Sequence, residues 1–309
     1  MNIENNLYDN YGIKIQTTSP ITDKTFKIIC NKNNCFFVKQ VTEEIENKYN
    51  FLANQGVSNI LYPMINYQKK YVSNFNNKNY YLNDYIENFV TIPDSQVYNM
   101  FNALNRLHES TAIKRQLSVS HSRPKFEELT KQLDYKFKLL ESFVRSLETR
   151  MISKNSLIVL QQYHIILDAK NELIRLQKRI IMAIKDKESV EYVFVHNNPK
   201  IDHVIMNRGS TYLTSIENGK IGIDSIDLAK FYVENKDSNL DFKKMIFDDY
   251  YSHKGSFYYD YFRFLVLFIY IKSINITNIE YFNLNNFVHI CNNISNFLET
   301  FLDKKEEIQ

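Results

Sequence analysis

Between residues 196 and 227 the chain carries, close together, side chains of the kinds that ligate metals, accept protons or bind anions. They are His196, Asn198, Asp202, His203, Ser215, Glu217, Asp224 and Asp227. Imidazole beside carboxylate at Asp202-His203 has the donor types of a metal site. Neighbours on a strand point to opposite faces, however, so a solvated polar loop is the reading for that pair, with no metal. Glu217 lies two residues past Ser215 and shares its face if the strand continues. Glu217 and Asp202 are therefore the carboxylates on which an altered site would draw. Asp227 stands just before Leu228-Ala229 and reads as the cap of a helix.

The elements that position these residues follow from the flanking pattern. Tyr192–Val195 reads as a strand, with a tight loop from His196, a short strand at Val204–Met206 and a turn at Asn207-Arg208-Gly209. A further strand follows at Thr211–Ser215, then a loop holding Gly219 and Gly222, then a helix starting near Asp227. Apolar β-formers bounded by Asn, Pro and Gly support these assignments.

This order resembles the catalytic and metal loops of the aminoglycoside phosphotransferase and choline kinase branch of the protein kinase-like fold. The resemblance is carried by His196, the Val204-Ile205 pair, Tyr212-Leu213, Glu217 and Asp227-Leu228-Ala229-Lys230-Phe231-Tyr232. It implies an α+β, bilobal fold with a small antiparallel-sheet N-lobe and a large, mostly helical C-lobe. The three polar positions that carry phosphoryl transfer in that family differ here. Asn198 stands for the catalytic aspartate, His203 for the metal-binding asparagine and Ser215 for the metal-binding aspartate. Catalysis of this kind is positioning plus charge neutralisation by metal, and an amide cannot accept a proton as a carboxylate does. The resemblance thus implies the fold and argues against the usual activity.

The same resemblance orders the N-terminal part. Tyr11–Thr17, Phe26–Cys30 and Cys35–Val41 are strand candidates, with hairpin signals at Asn31–Asn34. Lys39 falls where the family keeps its phosphate-touching strand lysine. A helix over about Glu43–Asn54 follows, with Ile45, Tyr49 and Leu52 on one face and Gly56 as its stop. Glu44 or Glu46 occupies the position of the helix glutamate that pairs with that lysine; Lys39 and Glu44 are the nucleotide-binding pair if that function is retained. The hairpin expected to cover the phosphates, Thr17–Asp23, has no glycine, and Asp23 would set a negative charge there, which argues for weak nucleotide binding. Tyr71–Asn74 and Tyr80–Ile86 read as a hairpin, the second strand leading into the hinge at residues 80–87. The N-lobe is accordingly 1–87 and the C-lobe 88–309.

From Pro93 the pattern is helical, with Asp94 or Ser95 as cap and Val97, Phe101, Leu104 and His108 along a buried face. His108 and His196, like Asp227, take structural roles by resemblance. Two long helices, about Phe126–Leu147 and Ser156–Ile184, lie within an insertion at 126–185. Leu129, Leu133, Leu140 and Leu147 form one stripe; Val159, Tyr163, Ile166, Leu173, Leu176 and Ile180 form the other. The pair is a candidate surface for a protein partner. Ser256–Ile274 is apolar nearly all round and reads as buried, a final helix lies near Leu284–Leu302, and Asp303–Gln309 is a charged tail.

Composition sets outer bounds. The 309 residues are 44% hydrophobic and 24% charged, with net charge +3, ordinary for a soluble globular protein and without the basic clustering that nucleic acid requires. Met1–Asn10 is polar, unlike a signal peptide, and the apolar run Phe264–Ile271 is too short to span a bilayer. The three cysteines lack a metal spacing; Cys30 and Cys35 flank a turn, so a hairpin disulfide is conceivable, but free thiols in a reducing cytoplasm are expected.

Three readings compete. The first is a catalytically inactive kinase-like protein with no cofactor, a binding or structural component similar to the spore-coat kinase-like proteins of Gram-positive bacteria. That resemblance places it in the cytoplasm, or with the spore coat in a spore-former. The second is a small-molecule phosphotransferase that uses ATP with Mg through a rearranged site containing Lys39, Glu217 and Asp202. The third is a helical interaction protein, which a missing N-terminal β-lobe would reveal.

Overall fold

Leu7 is 2% exposed against a sheet whose outer face contributes Ile28, Cys30, Phe36, Val38 and Leu82, and this packing defines the N-terminal architecture. The computed structural model describes residues 3–30, 34–88, 92–149, 154–207, 209–276 and 282–302. The chain begins with α1 (Ile3–Tyr11), β1 (Ile15–Thr22), β2 (Thr25–Cys30), β3 (Cys35–Val41) and α2 (Ile45–Asn54). Next come β4 (Val72–Phe75), β5 (Lys78–Asp84), α3 (Pro93–Thr111), β6 (Ile113–Gln116), α4 (Val119–Glu148) and α5 (Lys154–Lys185). The remainder is β7 (Ser189–Val195), β8 (Val204–Asn207), β9 (Ser210–Leu213), β10 (Lys220–Gly222), α6 (Ser225–Asn235), α7 (Ser256–Ser273) and α8 (Leu284–Phe301). The class is α+β, as expected.

Two compact units result: Met1–Ile113 with Tyr192–Asp227, and Lys114–Glu191 with Leu228–Gln309. They do not follow the expected cut after residue 87. Segment 192–227 joins the first unit, where backbone hydrogen bonds tie it to the connection between α2 and β4: Leu61 N–H to the Leu213 carbonyl at 2.9 Å and Leu213 N–H to the Asn59 carbonyl at 2.8 Å.

In the first unit five antiparallel strands run in the order β1-β2-β3-β5-β4. Period-2 alternation puts Val38 and Leu82 on the face that Leu7 covers and Lys39 with its cross-strand partner Tyr81 on the other. The first strand starts later than expected. Tyr11 ends a helix, Gly12 takes φ +68° and donates its N–H to the Tyr8 carbonyl at 2.8 Å, a left-handed helix stop suited to glycine. The expected hairpin containing Thr17–Asp23 is the β1–β2 pair: Thr17–Thr22 lies in β1, and Thr22 faces Thr25 across a two-residue turn of Asp23 and Lys24. Helix α2 buries Ile45, Tyr49 and Leu52 as their spacing requires. Helix α3 begins at Pro93, which suits a first helical position; Asp94 and Ser95 fall inside the first turn rather than at the cap. Cys30, Cys35 and Cys291 are free thiols. Most of the turn Asn31–Asn34, Arg208 of the next expected turn and the tail Asp303–Gln309 lie outside the described residues.

The second unit is built largely from α4, α5, α7 and α8. Both long helices extend beyond the expected limits, and α4 carries Pro124 near its start. Phe126, Phe137 and Val144 complete the buried α4 stripe, while Leu129 is only half-buried. Helix α7 is buried but not purely apolar. Arg263 donates to Glu172 at 2.6 Å and Arg179 to Asp260 at 2.8 Å, pairing α5 with α7, while Arg175 holds Glu172 from within α5 at 2.8 Å. Burial holds the Asp260 carboxyl above its usual range despite Arg179 and Arg263. A helix capped by the Asn283 side chain, α8, closes the sequence of elements. Among the described residues, no helix is long and apolar enough to cross a membrane.

Candidate functional site

Asp227 organises the loop that leaves β7. It is fully buried and accepts three hydrogen bonds: from His196 N–H at 2.6 Å, Asn197 N–H at 2.6 Å and His108 Nε2 at 2.9 Å. Helix α6 starts at Ser225, so Asp227 is a first-turn residue and not the cap. Its negative charge there suits the helix N-terminus, while its oxygens fix the turn in which Asn197 takes φ +63°. His108 ties α3 to this carboxylate.

His196 is buried, and its Nε2 donates to the Thr214 carbonyl at 2.7 Å. A carbonyl only accepts, so Nε2 carries the proton; Nδ1 has no partner among the described residues. Burial pushes this ring's pKa down, opposed by the Asp227 charge. His196, His108 and Asp227 are joined to one another through Asp227, and none of the three is among the residues lining the neighbouring cavity.

That cavity, of about 370 Å³, is lined by Lys24, Lys39, Asn198, His203, Ser215 and Glu217, among others. His203 sits in a short 3-10 turn and donates Nδ1–H to the Asn198 carbonyl at 2.9 Å. Asp202 does not enter: its side chain is 74% exposed and stands 3.9 Å from His203 Nε2, too long for a hydrogen bond. Asp202, expected either in a solvated loop or as a compensating carboxylate, is placed by the structure outside the cavity lining.

Lys39 has a different partner from the one expected. Its Nζ meets Glu217 Oε1 at 2.8 Å and donates to Ser215 Oγ at 3.2 Å. Glu44 precedes α2, exposed and without a side-chain cap bond, and Glu46 accepts the Val72 N–H at 2.8 Å. Neither meets Lys39. The α2 residue directed at this segment is Lys48, whose Nζ donates to the Glu217 carbonyl. Nor does the strand continue through Ser215. Ser215 is left-handed, φ 57° and ψ 47°, and Ile216–Asn218 forms a 3-10 turn, so the turn rather than strand alternation aims Glu217. Tyr81 Oη donates to Glu217 Oε1 at 3.2 Å; burial, then Tyr49 and Glu217, push the Tyr81 phenol up, and burial does the same to Tyr49.

Sequence reasoning brought together Lys39, Asn198, His203, Ser215 and Glu217, and missed Lys24, Lys48 and Tyr81. The Asp23-Lys24 pair between two β-branched threonines was a two-residue hairpin signal, and pairing β3 with β5 leads to Tyr81. The magnesium that the fold family implies does not fit this donor set. Mg²⁺ takes oxygen anions in octahedral array, and the one carboxylate lining the cavity, Glu217, is ion-paired to Lys39. Among the described residues no group of three or more His, Cys, Asp or Glu could hold a metal.

No protein-family model matches the sequence, and no curated protein matches it. Solved structures do match in fold. An aminoglycoside phosphotransferase from Alicyclobacillus acidocaldarius superposes with TM-score 0.67 at 11% identity, covering 93% of this chain and 91% of that one. The amicoumacin kinase hAmiN, in complex with AMP-PNP and Ca²⁺, gives 0.53 at 9% identity, over 96% and 92%. A spectinomycin phosphotransferase bound to AMP gives 0.52 at 16% identity, over 98% of each chain. The likeness is one of fold and runs the length of the chain. With the five-stranded N-terminal sheet, it overturns the reading of a helical protein lacking a β-lobe.

Proposed function

We propose that this chain, which has the protein kinase-like fold in its aminoglycoside phosphotransferase form, binds an anionic ligand in its cavity and transfers no phosphoryl group. The observation that carries the reading is the Lys39–Glu217 pair, which ties up the cavity's carboxylate. Phosphoryl transfer needs metal-neutralised charge and an oriented acceptor hydroxyl. With Asn198 at the catalytic-loop position, no carboxylate there receives the hydroxyl proton. Such a protein serves as a binding or structural component, and the expected protein partner belongs to the same reading.

A second reading has one observation in its favour. His203, which lines the cavity, uses its Nδ1 hydrogen on the Asn198 carbonyl, so Nε2 is the ring atom left to act as an acceptor in the tautomer with one proton. An enzyme built this way would use His203 as base and Glu217, released from Lys39, as metal ligand. Incubation with ATP and Mg²⁺ or Mn²⁺, with water, aminoglycosides, spectinomycin and choline as acceptors, separates the two. No ADP above the protein-free rate is expected. ADP formation abolished by Glu217→Gln and by His203→Ala would replace the first reading with the second.

A further inference from the structure

We infer that the cavity holds a polyphosphate-bearing anion with Lys24 and Lys39 as its counter-charges, and that it does so without a divalent cation. The inference rests on the reading of the cavity as a site that does not transfer phosphoryl groups.

The β1–β2 turn is satisfied from within. Thr22 and Thr25 hydroxyls meet at 2.7 Å, Lys24 N–H donates to Thr22 Oγ1 at 3.3 Å, and the Lys24 carbonyl accepts Gln40 N–H at 2.8 Å. This turn therefore presents no cradle of backbone N–H groups of the glycine-loop kind. What it contributes to the cavity lining is the exposed Lys24 residue, fixed at its backbone to β3. Thr25 is the cross-strand partner of Lys39, so Lys24, in the turn just before Thr25, lies at the same end of the sheet as Lys39. Asp23, expected to repel phosphate, is not among the lining residues.

Lys39 completes the arrangement. An ammonium has three donors; two are directed at Ser215 Oγ and Glu217 Oε1, and the third is available to a ligand. Glu217 fixes the direction of that third donor while its own charge is spent on Lys39. Neutralisation of phosphate thus passes from metal to amine, and a metal-bound ligand gains nothing from this wall. The volume, about 370 Å³, lies in the range of small-ligand sites.

Calorimetry on the full chain tests this, with tripolyphosphate and with ATP, in EDTA and then in excess Mg²⁺. Both ligands are expected to bind in EDTA. Mg²⁺, by cancelling ligand charge, is expected to weaken binding several-fold, and added NaCl to do the same by screening. Lys24→Gln, at an exposed turn position, should keep the wild-type Tm and lose about tenfold or more in affinity, the worth of a charge-assisted hydrogen bond. Binding that appears only with Mg²⁺ overturns the inference. So does silence of both ligands at millimolar concentration in EDTA, binding of ATP without tripolyphosphate, or full affinity in Lys24→Gln. ADP formation with Mg²⁺ would instead sink the reading of a non-transferring site, whatever the metal-free titrations give.

Discussion

Glu217 reaches Lys39 at 2.8 Å because Ser215, between strand and 3-10 turn, is left-handed at φ 57°. A non-glycine residue in that region costs of order 1 kcal/mol or more, and here the turn is held by the Tyr81 hydroxyl on the Glu217 carboxylate and by Lys48 on its carbonyl. The lysine that resemblance assigned to a helix glutamate is thus held by the segment after β9.

This arrangement makes Glu217 a competitor of the ligand. Glu217→Gln is expected to tighten tripolyphosphate binding several-fold in EDTA, because Lys39 loses a neighbouring negative charge. The stability change should be about 1 kcal/mol, since the amide oxygen of glutamine can still accept from Lys39 and Tyr81. Calorimetry and urea denaturation read the two effects. Weaker binding in the variant would mean that Glu217 holds Lys39 in position for the ligand and does not compete with it.

Asp227 should behave differently. Removing its carboxylate takes away, at a fully buried position, the acceptor shared by two backbone N–H groups and His108 Nε2. Asp227→Ala is expected to cost about 3 kcal/mol or more, read from the urea midpoint, and to expose the loop after β7 to hydrogen exchange. A loss below about 1 kcal/mol would show that the carboxylate is dispensable to the loop.

How far these features were legible depended on whether they were local. His108, His196 and the Asp227-Leu228-Ala229 run could be placed because their spacing survives in the chain as a pattern. The partner of Lys39 could not be, since a left-handed serine leaves no mark in composition. Helix α1 was missed because nine largely polar residues have little helical signal; Leu7 buried against the sheet is what secures it. Asp260 and Arg263 were hidden for the opposite reason. They sit in a helix so apolar that its charges read as incidental, yet both are buried and paired.

His196 gives a pH signature. Burial lowers its folded pKa below the ordinary 6.5, so below 6.5 the unfolded chain binds more protons than the folded one. Its contribution to stability is present in full above 6.5, is lost as pH falls from there to the folded pKa, and is constant below that. Asp260, raised by burial, has the opposite slope upward from 3.8, and it is common to wild type and variant. Urea midpoints between pH 8 and 5 should therefore fall more steeply in wild type than in His196→Asn; parallel curves would remove His196 from the pH dependence.

The cysteines should separate by reactivity. Burial pushes the Cys291 thiol up to about 12, leaving almost no thiolate at pH 8. Cys35 is only half-buried. Brief iodoacetamide treatment of the native protein, followed by mass spectrometry, should label Cys35 and spare Cys291 until denaturant is added. Equal labelling would show that the α8 face opens in the native state.

The discontinuity of the two units bears on how the chain is made. Ser215 follows Lys39 by 176 residues, so a ribosome adding 5–20 residues each second delivers it roughly 10–35 s later. For that interval the first unit lacks segment 192–227, and residues 114–191, made in between, belong to the other unit. Birth order and fold order differ in this protein, and its N-terminal half passes through a long adolescence in which Lys39 has no Glu217.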